Sequence, residues 1–286
     1  MFNFYSKSNI REKIKELKFV AKKSFGQNFL VDQNVCEKIV DTASERFNDG
    51  VIEIGPGLGV LTNSLSKKFN KVVSIEIDYK LFCFLSNIFK DNEKIKLIHA
   101  DALEVNLEKL ILENFQSSEN IVMCSNLPYC ITTPILMKFL KCERIKQITV
   151  MIQKEAAERI LSLPGTKNCG AISSVVRFYS YPRFNFNVSK NCFIPSPKIE
   201  SSVISFDIVK NYKVSSEKMF FKIIKSAFCK RRKNILNSLS SGLKIEKAKI
   251  IKAINLCELN KNLRAENLMI EDYIKLSELI SNITKE

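Results

Sequence analysis

The chain has 286 residues, 45% of them hydrophobic, enough to bury one full α/β core plus a small second unit. Its nine cysteines form no Cys-x-x-Cys pair and no run of 18 apolar residues occurs, which argues against a zinc ribbon, a disulfide framework, a secretion signal or a membrane span and for a cytoplasmic protein. The net charge of +15 sits at the ends: seven Lys/Arg against two acids in residues 1–25, 17 against eight in 210–286, and 21 against 20 between them, as expected if basic flanks hold a polyanion while a neutral body does the chemistry.

Residues 1–20 form a basic extension in which Ile10, Ile14 and Leu17 recur at helical spacing, so the segment reads either as an amphipathic helix or as a disordered basic arm. Lys22-Lys23-Ser24-Phe25-Gly26-Gln27-Asn28-Phe29-Leu30 follows, its small and amide residues suiting a flap over a pocket, before a helix predicted to begin near Asp32. The stretch Val51-Ile52-Glu53-Ile54-Gly55-Pro56-Gly57-Leu58-Gly59 then reads as a buried strand, a tight loop and a helix start. Glycines let a ligand approach the backbone, and the helix start offers unpaired N–H groups. Lys71 to Ile77 reads as the second strand, and Glu76 falls 21 residues after Gly55, close to the spacing of a ribose-binding carboxylate. The third glycine comes one residue earlier than in the dinucleotide pattern, Pro56 stiffens the turn, and Glu53 stands beside the loop. A cationic cofactor without phosphate, S-adenosylmethionine (SAM), fits those features better than NAD; the glycines alone fit a plain strand-to-helix turn equally well.

Ile95 to Ala100 reads as the third strand and ends on Asp101, so Gly55, Glu76 and Asp101 share one carboxyl edge, where open α/β sheets bind ligands. Asp101 suits either an adenine amine or a helix N-cap before Leu103. The fourth strand, Ile121 to Cys124, runs into Ser125-Asn126-Leu127-Pro128-Tyr129, where proline keeps Leu127 extended. An amide, a proline and a tyrosine at that edge suit an exocyclic amine on a flat base, the alternative being a strand-end turn with a packed tyrosine. Gln147 to Gln153 reads as strand five, Lys154 to Leu161 as helix, and 164–170 as loop. In Asn191-Cys192-Phe193-Ile194-Pro195-Ser196-Pro197-Lys198, ahead of an alternating strand from Ser202 to Ile208, Phe193 reads as a stacking platform in preference to a core plug. Beyond Lys210 only helical stripes remain: Phe220, Phe221, Ile224 and Phe228, then Ile250, Ile251 and Ile254, then Ile270, Tyr273 and Ile274. This is a small helical domain with a basic cluster, Lys230-Arg231-Arg232-Lys233, where its first helix ends. The sole histidine, His99, has no partner for a triad or metal site and suits a core or strand-edge position.

These motifs, with Gln153-Lys154-Glu155, Phe228-Cys229 ahead of the basic cluster, and Arg264-Ala265-Glu266-Asn267-Leu268, resemble those of the KsgA/RsmA ribosomal RNA adenine dimethylases over about residues 20–280. The resemblance implies an α/β fold: a Rossmann-like, seven-stranded SAM-dependent methyltransferase sheet with an antiparallel last strand over residues 21–209, followed by an all-helical rRNA-binding domain over 210–286. It implies a SAM site lined by Asn28, Leu30, Gly55, Gly57, Glu76, Asp101 and Asn126. Asn126, Leu127, Pro128, Tyr129 and Phe193 would hold the target base, and Lys230, Arg231, Arg232 and Lys233 the RNA, with no metal. The activity implied is dimethylation of two adjacent adenosines in the 3′-terminal hairpin of 16S rRNA within the pre-30S small subunit, late in its maturation, by a monomeric cytoplasmic enzyme. The sequence departs from the family at residues 1–20, at Ser189-Lys190-Asn191-Cys192, which lacks prolines, and at Cys130, where asparagine is common.

Overall fold

A computed structural model describes residues 2–16, 28–209, 212–230 and 232–283. By contacts the chain divides into two compact units, Met1–Ala157 with Pro182–Ile208, and Glu158–Tyr181 with Val209–Glu286.

The first unit is organised around a seven-stranded sheet. Its strands are β2 (Gly50–Ile54), β3 (Lys71–Glu76), β4 (Ile95–His99), β5 (Ile121–Asn126), β6 (Ile145–Gln153), β7 (Ser180–Val188) and β9 (Ser201–Ile208), in the order β4-β3-β2-β5-β6-β9-β7. The pairs from β4 to β6 are parallel, and β9 runs antiparallel to β6. Side chains alternate across a strand, so Val51, Val72, Val122 and Met151 join one core with Cys36, Ile39 and Val40 of helix α2 (Gln33–Ser44) and Leu61 and Leu65 of α3 (Val60–Lys68). The alternate residues Ile52, Val73 and Met123 are equally buried on the opposite face. Helix α2 starts where predicted, with the Asp32 carboxylate accepting from the Val35 N–H at 3.1 Å. Helices α4 (Tyr79–Ile88), α5 (Leu107–Asn114), α6 (Thr132–Leu140) and α7 (Lys154–Leu161) follow successive strands.

Between β2 and β5 the strand order reverses, and at such a point the helices on either side diverge and open a crevice at the carboxyl ends of the strands. A short two-stranded ribbon, β1 (Phe29–Leu30) against β8 (Phe193–Ile194), pairs Leu30 with Phe193 across 163 positions of sequence. Within the N-terminal segment, α1 (Lys7–Glu16) is a helix that buries Ile10 completely.

The second unit holds α8 (Ala171–Tyr179), α9 (Glu217–Ala227), α10 (Ile235–Leu243), α11 (Lys247–Leu256) and α12 (Ile270–Ile283). Its inclusion of 158–181 differs from the boundary at residue 210 expected from sequence. The cause is local packing: the Phe178 ring of α8 lies tilted against Phe220 of α9, centroids 4.5 Å apart, and Arg177 donates to the Ile160 and Leu161 carbonyls at the end of α7. The stripe along α9 and its C-cap packs inward, with Phe220 and Ile224 buried and Phe221 and Phe228 half-buried. Among the described residues no helix is long and apolar enough to cross a membrane.

Candidate active site

The crevice at the switch point is a cavity of about 270 Å³ whose walls come from the carboxyl ends of four adjacent strands. Strand β2 supplies Ile54 and the loop glycines Gly55 and Gly57, β3 supplies Ile75 and Glu76, the loop after β4 supplies Asp101 to Leu103, and β5 supplies Asn126 to Tyr129. Asn28 and Phe29 close one side.

The loop is held by its own acid. Gly57 has φ +60°, and its N–H donates to Glu76 Oε2 at 3.2 Å while the Asp78 N–H donates to Oε1 at 2.9 Å. A Cβ on Gly57 would stand 3.0 Å from the Phe29 ring, so glycine is demanded both by conformation and by the close approach of the Asn28–Phe29 segment. Desolvation raises the Glu76 pKa, opposed by those backbone donors. Asp101 closes a turn of its own, with Oδ1 accepting from the Leu103 N–H at 2.8 Å, and also lines the cavity. The next helix begins only at Leu107 and is capped by Asn106, so Asp101 is a turn residue and not a helix cap.

At the far wall the Asn126 Nδ2 donates to the Asn28 carbonyl at 3.3 Å, which commits the amide nitrogen and keeps its oxygen as an acceptor. The backbone beyond it is fixed by the Leu127 N–H donating to the Met151 carbonyl at 3.1 Å, and the Tyr129 hydroxyl lies 3.3 Å from Ser201 Oγ.

Several expected residues lie elsewhere. Leu30 is 4% exposed in the core and does not line the cavity. Phe193, expected as an exposed platform, is 3% exposed: pairing of β8 with β1 turns its ring into the core, so it is a core plug. Glu53 also points away. Alternation puts it on the Val51 face beneath α3, where its Oε2 accepts from Thr62 Oγ1 and Ser74 Oγ, each at 2.7 Å, and desolvation pushes its pKa up to about 7. Lys230, Arg232 and Lys233 are exposed just beyond α9, as read, while Arg231 and the residues before Asn28 in the flap motif lie outside the described residues. His99 is exposed at the end of β4, its Nε2 3.2 Å from the Ile77 carbonyl, a strand-edge position.

One residue missed in the sequence belongs to the site's frame. Lys138 of α6 reaches the carbonyls of Ala102 and Leu103 at 2.9 and 2.7 Å, clasping the loop that carries Asp101. A lysine inside an otherwise apolar run, Ile135-Leu136-Met137-Lys138-Phe139-Leu140, was the available signal.

A family model described as ribosomal RNA adenine dimethylase matches residues 18–282. The chain belongs to that family. The ribosomal RNA small subunit methyltransferase A of Alkaliphilus oremlandii is 41% identical to this dimethylase over 285 residues, 98% of either chain. The protein of the same name from Clostridium botulinum (strain Okra) is 39% identical over 279 residues, 96% of this chain and 99% of its own. Among solved structures, a dimethyladenosine transferase from Plasmodium falciparum matches with TM-score 0.72 at 21% identity, covering 90% of this chain and 98% of that one. The 23S rRNA methyltransferase ErmE gives TM-score 0.65 at 23% identity, over 89% and 100%. These two establish the methyltransferase fold alone. The dimethylase is thus an enzyme that uses SAM to dimethylate adenine in ribosomal RNA.

The cavity fits that cofactor. Two carboxylates and no basic side chain are among its described lining residues, and the Gly57 N–H that a pyrophosphate would use is already bound to Glu76. A neutral ribose and a cationic sulfonium meet no electrostatic penalty there, whereas a phosphate would. Glu76 and Asp101 present the carboxylates of that lining, and Ile54, Ile75, Ile77 and Leu103 its apolar walls.

Proposed function

We propose that this enzyme places two methyl groups on each of two adjacent adenosines in the 3′-terminal hairpin of 16S rRNA, on the pre-30S small subunit late in its maturation, as a cytoplasmic monomer. The observation that carries the catalytic part is the pairing of Asn126 with Asn28. It holds the amide so that the oxygen is the atom left to accept, at the edge where Leu127, Pro128 and Tyr129 meet the cofactor cavity. The small-subunit assignment is supported by the names and near-complete coverage of the curated relatives.

An adenine amine is a poor nucleophile because its lone pair is delocalised into the ring. When the Asn126 oxygen and the Leu127 carbonyl each accept one N–H, the lone pair is turned out of the ring plane, and the positive charge that develops on nitrogen meets two fixed dipoles. SAM, when bound, supplies an electrophilic methyl on a sulfonium. No carboxylate base is needed, since the methylated ammonium is acidic and its proton leaves to solvent. Positioning of this kind contributes up to about 7–11 kcal/mol in the best-oriented cases. Tyr129 is the ring in place to stack on the extruded base, at roughly 1–3 kcal/mol, offsetting the few kcal/mol of unstacking.

The test is transfer from labelled SAM to purified unmethylated small subunits, large subunits and free rRNA, with nucleoside analysis, for the wild type and Asn126→Ala. Dimethyladenosine confined to small subunits is the expected result. The variant is expected to lose on the order of 10²-fold in kcat with SAM and RNA affinities retained. Transfer to large-subunit RNA overturns the substrate assignment, and loss of RNA or SAM binding in the variant overturns the role given to Asn126.

A further inference from the structure

The N-terminal segment has no place in the chemistry above, yet it is built into the body. Besides buried Ile10, the Tyr5 hydroxyl lies 2.9 Å from Ser64 Oγ and accepts from Asn63 Nδ2 at 3.2 Å, Phe2 meets the Phe84 ring edge-on at 5.3 Å, and Phe4 stacks on Phe89 at 5.4 Å. Helix α1 is therefore a fixed platform whose outer-face positions are set before any ligand arrives.

On that outer face Lys7 and Arg11 stand one turn apart, both exposed. They line an open depression whose other wall is Asn191 and the Phe193–Ser196 turn. No carboxylate is among its described lining residues, and neither cation is in an ion pair with another described residue. Asp32, which acts on the same Cys192 as Lys7, accepts from the Val35 N–H and from Cys192 Sγ at 3.8 Å. The depression also borders the active site. Ile194, which lines it, is the register partner of Phe29, which lines the cofactor cavity, so only the two-stranded β1–β8 ribbon separates the two.

We propose that Lys7 and Arg11 bind a backbone phosphate of the substrate RNA beside the nucleotide that enters the cavity, making α1 a part of the RNA interface. This rests on the rRNA reading given above. Arginine presents a planar fork that a phosphate accepts bidentately, with lysine adding a point charge. Asn191 and Ser196 offer polar edges to a ribose, and Ile194 and Pro195 an apolar floor. Adjacency to the cofactor cavity across the β1–β8 ribbon and the +5 excess of residues 1–25 favour a nucleic-acid strand over an acidic peptide.

The experiment compares the full-length wild type, K7Q/R11Q, K7E/R11E and the control K13Q, whose lysine lies at the opposite flank of α1 over the Phe84 ring. Binding to the 3′-terminal rRNA hairpin is titrated across salt, with thermal melting, SAM affinity and methyl transfer measured on the same preparations. The expected result is a salt slope flattened by about 0.7–0.9 in K7Q/R11Q, the equivalent of one lost phosphate contact, with a further loss of affinity in K7E/R11E. SAM affinity, melting temperature and kcat at saturating RNA stay at wild-type values, and K13Q keeps the wild-type slope. An unchanged slope in K7Q/R11Q, or an equal change in K13Q, overturns the phosphate site. A wild type that transfers no methyl group to any rRNA overturns the functional reading instead, and this inference with it.

Discussion

Glu53 shows how one residue of a motif does work unlike that suggested by its place in the sequence. It lies two positions before Gly55, yet a strand's alternation sends it under α3, where it is 1% exposed and bonded to two hydroxyls. Its carboxyl holds its proton up to about pH 7 in the folded enzyme, against an ordinary value of 4.5. The sign follows from proton counting. Between about pH 4.5 and 7 the unfolded chain releases this proton and the folded chain keeps it, so stability falls as pH rises through that window and the fall is complete above it. The size is on the order of 3 kcal/mol. In Glu53→Gln the amide oxygen still accepts from Thr62 and Ser74 and there is nothing to titrate. Urea unfolding at pH 5 and pH 8 should therefore show the variant gaining on the wild type at pH 8 relative to pH 5. Equal differences at the two pH values would mean that Glu53 is ionised in the folded state.

Whole elements were legible where the chain's local chemistry and its burial agreed. Strands β2 to β6, the Asp32-capped α2, and the Gly, Glu, Asp succession at one sheet edge follow from apolar runs ending in turn residues, and three of those residues line the cavity. The reading failed where distant pairing decides. Phe193 sits between turn signals that suggest exposure, and only a β partner at Leu30 buries it. Helix α8 carries Ser-Ser-Val-Val, a strand-like run, and is helical because Ser173 Oγ accepts from the Gly170 N–H at its start and Arg177 ties it to α7. Strand β7, interrupted by Pro182 and half exposed, gives no apolar alternation to read. Helix α6 was not read from sequence, and the function of its one lysine depends on a loop 35 residues earlier. Since two carbonyls of the Asp101 loop rest on the Lys138 ammonium, Lys138→Met, which keeps the stem and removes the donors, should raise KM for SAM about tenfold, the effect of losing hydrogen bonds to a charged group. Its kcat at saturating SAM should stay near that of the wild type, and Lys138→Arg should recover much of the loss. A fall in kcat with KM unchanged would place Lys138 in the chemical step and not in the frame of the cofactor site.

At the scale of the molecule the distribution of charge matters more than its total. The stretch between residues 25 and 210 carries a net charge near zero and holds the whole cofactor cavity, whose described lining residues include no cation, so little in the catalytic crevice itself attracts RNA. On the proposed function, affinity comes from the basic ends through counterion release at phosphates, while the crevice discriminates by accepting only a base that can be extruded. Such a division predicts separable defects. Replacing Lys230, Arg232 and Lys233, all exposed after α9, by glutamate should weaken binding of small-subunit rRNA and flatten the dependence of log K on log salt by roughly 0.7–0.9 per phosphate contact removed. Turnover at saturating RNA and SAM affinity should be those of the wild type, because none of the three residues lines the cavity. The check is a salt titration of binding alongside single-turnover transfer at saturating RNA. A variant that binds with the wild-type slope would show that the cluster is only a solvated surface. One that binds normally but transfers slowly would show that the cluster acts on the chemistry and not on affinity.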